Sequence, residues 1–420
     1  MDPDHDDMYS TEVLADPFGY YGRLRDEDPL HWSEKYQTWL VTRYDDVMWV
    51  LRHPEFFSSE YYVRDSARPP VPPTDPADAE FAEFVVRFRA REFIQNDPPQ
   101  HSRMRAPLRA YFSSKGIESL RMRIRQAVAS LLDAVVDQGG MDVRADLARP
   151  LPLLVISDML GLPREDRALL AQQAELRMRS ALSLAPDRMR LAARGIRESS
   201  DYLDRHIRQR RPGNRETDLL DILITAEQDG HYNRQEVLAN ALSLLDAGHE
   251  TTIQLICNGL LAFLRHRDQW DLFRADPLRL AQTAVEECLR FDPPLPALRR
   301  IAATDVSRQG KLIRRGDRVG FVIASANRDP RIFADPDRFD IRRSPNRHIT
   351  FGSGIHHCLG HYLARLEGQE TFIALATRLP DIRLATDVVS YAPVRGVRNI
   401  NSLQVAWQRP ENPVGAHRKA

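Results

Sequence analysis

The sequence predicts a mainly α chain of the α+β class, with a long central helix and a small β region. Three observations carry this. From about residue 100 to 290 the apolar positions follow helical spacing, broken by Pro and Gly at 150–152, 162–163, 212–213 and 229–230. Strand-like runs lie toward the two ends, at 38–42, 311–323 and 382–407. No internal repeat and no low-complexity linker interrupts the 420 residues, so one domain spanning 1–420 is expected, with short flexible ends at about 1–10 and 409–420.

Taken in order, TWLVT at 38–42 reads as a strand, and the helical pattern after it is closed by Pro54. Residues 57–80 contain RPPVPPTDPAD, which cannot be one continuous helix and reads as a linker or a long ordered loop. The segment 234–266 carries most detail. Asn233 followed by Glu236 is a capping-box start, and apolar residues from Val237 to Leu264 cover nearly every side, as a buried central helix requires. Such a helix spans roughly 50 Å. Its middle, DAGHETT from Asp246 to Thr252, breaks the apolar pattern, and Thr251 and Thr252 can bond the preceding carbonyls and open the ladder.

Composition excludes several classes. The 59 basic and 59 acidic side chains cancel, leaving no electrostatic footprint for nucleic acid or an anionic membrane. Cys257, Cys288 and Cys358 are too few and too far apart for a disulfide framework. The acidic start MDPDHDDMYSTEV offers neither a signal peptide nor a membrane anchor. A cytoplasmic protein, with no nucleic-acid or membrane partner, is expected.

Chemistry concentrates in FGSGIHHCLG, residues 351–360. Cys358 beside His356, His357 and His361 could be core filler, a nucleophile or a metal ligand. Zinc is the weaker choice, because adjacent ligands in one short segment rarely close a tetrahedral site. Three stretches belong together: Ala247-Gly248-His249-Glu250-Thr251-Thr252, Glu287-Cys288-Leu289-Arg290, and Phe351 to Arg365. In this order and spacing they resemble the cytochrome P-450 family, whose pattern FGxGxHxCxGxxLAR the third stretch meets at every fixed position. The likeness runs from about residue 16 to 407 and looks closest to the soluble bacterial members.

The resemblance implies the family's prism fold, with haem b (iron protoporphyrin IX) between the long helix and the Cys358 loop. Cys358 would be the metal ligand, its thiolate restrained by the amides of Leu359, Gly360 and His361. Phe351, Gly352 and Ala247 would border the haem. His101, Arg105, Arg300 and His356 would take the propionates. Glu250 and Thr251 would be the catalytic acid–alcohol pair, and His249 a variable position facing outward. Glu287, Arg290 and Arg338 would form structural ion pairs. Ser243, Asp246, Phe88, Leu295, Leu298 and Val397 would meet substrate. Phe81, Phe84 and Val85 of the proline-rich loop would stand beside them, under a lid formed by 165–205. Asp246 stands where the family usually has an apolar residue, so it would contact a polar or cationic substrate group, or else a neighbouring protein side chain or water.

The implied activity is O2-driven hydroxylation or epoxidation of a small organic molecule in bacterial secondary metabolism. The protein would act as a monomer, with electrons from a ferredoxin and its reductase docking near Arg103, Arg109, Lys115 and Arg365. The same scaffold supports oxidative coupling, ring closure or peroxide-driven oxidation. A non-catalytic haem sensor is the reading from another class, and the Glu250–Thr251 pair argues against it.

Overall fold

The computed structural model describes residues 7–64, 76–181, 186–210, 217–391 and 398–408. Residues 1–6 and 409–420, most of the proline-rich run and the turn holding Val397 lie outside them. The architecture is helical, built around one helix from Arg234 to Arg265. Asn233 accepts from the Glu236 amide, and Glu236 accepts from the Asn233 amide, each at 2.9 Å. This reciprocal pair satisfies two donors that a helix start otherwise leaves open.

The helix is buried because its surroundings close over it on every side. Helices Pro150–Met159, Leu219–Gln228, Pro277–Phe291 and His361–Arg378 all pack against it. Contact with the last of these is close: a Cβ on Gly259 would stand 2.6 Å from the Phe372 ring and 3.1 Å from the Cys288 sulfur. Cys257 and Cys288 are both buried in this apolar cluster.

A five-stranded sheet has the order Leu30–Ser33, Thr38–Val41, Arg318–Phe321, Leu298–Ala302, Phe57–Ser58. Thr38–Val41 runs parallel to Arg318–Phe321, and the other neighbours are antiparallel. The sheet joins residues 30–58 to residues 298–321, while the expected β content at 382–407 forms short strands of two separate sheets. One strand departs from that plan. Gly140–Asp142, within the helical stretch, pairs with Gln404–Ala406; three residues are too few to show a period of two.

The stretch expected to be a loop is partly helical. Phe81, Phe84, Val85 and Phe88 lie on a helix from Pro76 to Arg89, with Val85 and Phe88 buried. Their spacing of i, i+3, i+4, i+7 is that of one helix face. The stretch expected to form a lid is a pair of helices, Arg167–Ala181 and Pro186–Gln209, packed on each other, the second also resting on Pro76–Arg89.

The expected ion-pair cluster forms with a different third member. Glu287 and Arg290 are fully buried and joined by two bonds of 2.8 Å. The other cation on Glu287 is Arg343, at 3.2 Å. Arg338 is exposed and gives only its carbonyl, which accepts from Arg290 at 3.0 Å and Arg343 at 3.1 Å. The chain turns between the two positions, so Arg338 leaves the interior and Arg343 enters it. Replacing Arg343 by Ala leaves part of a buried carboxylate unpaired and is expected to cost about 1–3 kcal/mol, against about 0.5 kcal/mol or less for Arg338→Ala, read by chemical denaturation.

Candidate active site

The cysteine loop is shaped by its own backbone. The Cys358 amide donates to the Phe351 carbonyl and the Gly352 amide to the Ile349 carbonyl, each at 2.8 Å. Gly354 sits at φ +70°, and a Cβ there would lie 2.5 Å from the Leu51 carbonyl oxygen. Glycine therefore lets the loop press against the helix Tyr44–Arg52. The Gly360 amide donates to the Cys358 sulfur, at the start of the helix His361–Arg378. Burial pushes the thiol up; that amide and the charges of Arg105 and Arg365 act the other way.

Beside the sulfur, four basic groups are crowded together. The His101 and His356 rings stand 4.3 Å apart. Arg105 donates to the His357 carbonyl, and Arg300 to the Arg299 carbonyl at 2.9 Å. His356 shares 2.8 Å with the Ser59 hydroxyl, whereas both ring nitrogens of buried His101 are unpartnered. Burial, then the charges of Arg105, Arg109 and Arg300, push His101 down to about 4. Burial likewise draws Arg300 down to about 10, with Asp97 acting weakly against it. Asp97 itself is bonded to Ser58 and Ser59. Two guanidinium groups and an unsatisfied imidazole call for an anion here. A group with two carboxylates and a thiolate-binding metal fits the residues present.

The long helix shows one accessible strip within an otherwise buried stretch. Ala247 is exposed and Thr251, one turn on, is half-buried. The Thr251 hydroxyl donates to the Ala247 carbonyl at 2.7 Å, as the local sequence predicts. Thr252 differs: it is buried and donates to Glu367 at 3.4 Å. Glu250 accepts from Gln254 at 2.8 Å and from Arg144 at 3.5 Å. His249 does not face outward; it is buried and meets the Arg149 carbonyl at 3.0 Å.

Asp246 does not present a free carboxylate to substrate. Arg177 of the helix Arg167–Ala181 engages it at 2.7 and 3.0 Å, and Arg89 stands 3.7 Å away. Arg177 also donates to Ser199 on the helix Pro186–Gln209, and Arg89 donates to Glu92 at 2.9 Å. Burial raises Glu92 to about 6, opposed by Arg89 and by a bond from Ser243. The residue type at 246 is answered by the protein itself, through partners 69 residues or more away in sequence. Leu295 is half-buried and Leu298 exposed on its strand. Of the four basic residues expected at a docking face, Arg109 and Lys115 are exposed, whereas Arg103 is paired with Glu236 and Arg365 with Glu286.

Arg144, Gln254, Arg177, Arg89, Glu92 and Glu367 escaped the sequence reading, since each matters through a contact distant along the chain or on the far side of a turn. Glu367 is the most unusual. It is buried, Oε1 has no partner, and burial raises it to about 8, with only the Thr252 bond opposing.

Comparisons with known proteins agree with this geometry. A sequence model described as Cytochrome P450 matches residues 33–276 and 269–384. The chain is 36% identical over 411 residues to the polyketide biosynthesis cytochrome P450 PksS of Bacillus subtilis, covering 96% of this chain and 98% of that protein. It is 38% identical over 409 residues to the cytochrome P450 monooxygenase PikC of Streptomyces venezuelae, covering 95% and 92%. The crystal structure of CalO2 superposes with a TM-score of 0.87 at 33% identity, covering 96% of this chain and 98% of that one.

Two outcomes follow from the buried acids. Asp246→Ala strands Arg177 in the interior and is expected to lower stability by about 3–5 kcal/mol in denaturant titrations. Glu367 is stabilising in its neutral form, so its contribution is complete below the ordinary 4.5 and is lost as pH rises through about 8. The wild-type protein should therefore lose up to about 5 kcal/mol across that window, and Glu367→Gln should flatten the loss in unfolding measured against pH.

Proposed function

This chain belongs to the cytochrome P450 family, and on that footing we propose a residue-by-residue reading of its site. It is a haem-dependent monooxygenase that uses O2 and two electrons from an external redox partner to hydroxylate or epoxidise a small organic molecule. Haem held by a thiolate would supply the activation of O2, one atom of which enters the substrate while the other leaves as water.

Cys358 would ligate the iron, its sulfur steadied by the Gly360 amide. Arg105, Arg300, His101 and His356 would receive two propionates, and haem b is the form proposed. Phe351 and Gly352 would border the cofactor on the sulfur side and Ala247 on the other. Glu250 would bring protons from solvent, and Thr251 would pass them on while holding a water. Substrate would lie over Ala247, walled by Phe88, Leu295 and Leu298, and Ser243 and Asp246 would shape the roof through the lid network. Electrons would come from a ferredoxin and its reductase, with exposed Arg109 and Lys115 near the cysteine side supporting an acidic partner.

The observation that carries this reading is the basic cluster beside the Cys358 loop, with the imidazole of His101 unsatisfied within it. The reduced, CO-bound protein is expected to show a far red-shifted Soret band, and Cys358→Ser to lose it. A Soret band typical of histidine ligation in fresh wild-type protein would overturn the ligand assignment. Turnover with NADPH, ferredoxin and reductase separates the monooxygenase from a peroxide-driven enzyme or a silent haem carrier.

A further inference from the structure

Residues Val143–Ala148 form a π-helical turn directly after the strand Gly140–Asp142. Such turns are rare and tend to mark functional sites. This one docks on the long helix at two adjacent residues. Its C-cap carbonyl, Arg149, meets His249 at 3.0 Å, and Arg144 reaches Glu250 Oε1 at 3.5 Å. The Arg144 amide is held by the carboxylate of the N-cap residue Asp142 at 3.0 Å, which secures the start of the turn. Arg144 and Glu250 are mostly withdrawn from solvent, at 19% and 16% side-chain exposure. Nη1 of Arg144 is interior and unpartnered.

Glu250 is held unevenly. Oε1 accepts from Gln254 at 2.8 Å, and Gln254 is itself fixed by Asn399 at 2.9 Å and by the Ile400 amide at 3.2 Å. Oε2 makes no hydrogen bond among the described residues. The Arg144 contact is long for a hydrogen bond and so restrains the carboxylate without locking it.

We propose that Arg144 is a positioning residue for proton delivery: its guanidinium and Gln254 anchor Glu250 Oε1, leaving Oε2 as the oxygen that takes up and releases the proton beside Thr251. The inference rests on the reading of Glu250 as the proton carrier. Removing Arg144 lets the carboxylate swing on its remaining bond, and displacement of a catalytic group by about 1 Å is enough to lose much of its effect.

The test uses the holoenzyme with styrene as the probe: styrene, O2, NADPH and a proton give styrene oxide, NADP+ and water. Arg144→Met is expected to lower epoxide formed per NADPH oxidised on the order of tenfold. Epoxidation driven by H2O2, whose oxidant brings its own protons, should be unchanged, and Arg144→Lys should restore most of the coupling. The double variant Arg144→Met/Glu250→Gln should couple no worse than Glu250→Gln alone. Without turnover, the losses in Tm of the two single variants should be non-additive. If Glu250→Gln lowers coupling while Arg144→Met does not, or if the two losses simply add, Arg144 has no positioning role and the reading of Glu250 stands. If Glu250→Gln leaves coupling intact, the proton-carrier reading itself fails, and this inference with it.

Discussion

A 32-residue helix buried on nearly every side must find a partner for each polar side chain it carries, and most of this structure is arranged to supply them. Asn240 takes the Phe93 amide and gives to the Arg91 carbonyl. Asp246 takes Arg177 and Arg89, His249 the Arg149 carbonyl, and Glu250 takes Gln254 and Arg144. Thr252 gives to Glu367, and Asn258 to the Asp292 carbonyl. These partners come from segments scattered between residue 89 and residue 367, and burial of the helix holds each of them in place.

The cysteine side obeys the opposite logic. There the fold gathers two guanidinium groups and two imidazoles, and among the described residues none of the four is bonded to a carboxylate. A protein interior tolerates this only where the charge has a further use, because desolvation disfavours every member, as the downward shifts of His101, His356 and Arg300 record. Directly behind the loop, the Glu287–Arg290–Arg343 cluster is fully answered, down to the Asp340 amide and the Asn346 side chain on Glu287. One cluster is complete within the protein, and the other has polar capacity to spare for an anion. Their difference lies in partner count, since both are rich in arginine.

Motif and period made the frame legible. The capping box placed the long helix to within a residue, and the glycines around Cys358 announced a tight loop. The helical spacing of Phe81, Phe84, Val85 and Phe88 was equally present and was masked by the prolines before it. Pairings between distant segments were not legible. Nothing local distinguishes Arg343 from Arg338, or marks Arg177 among the arginines of its helix as the one that turns inward. Thr251 and Thr252 look alike as a sequence pair, yet one bonds its own helix and the other a carboxylic acid 115 residues on.

Those distant pairings also bear on how the helices are held together. The helices Arg167–Ala181 and Pro186–Gln209 share the apolar cluster of the long helix, and they also meet it through one carboxylate, Asp246, which Arg177 engages and Arg89 approaches. Apolar packing yields gradually when a side chain is trimmed. A buried ion network yields all at once, because each partner removed leaves the others charged and unpaired. Asp246 and Glu250 are one helical turn apart, so the Arg177 contact and the Gln254 and Arg144 contacts share a face and a few ångströms of backbone.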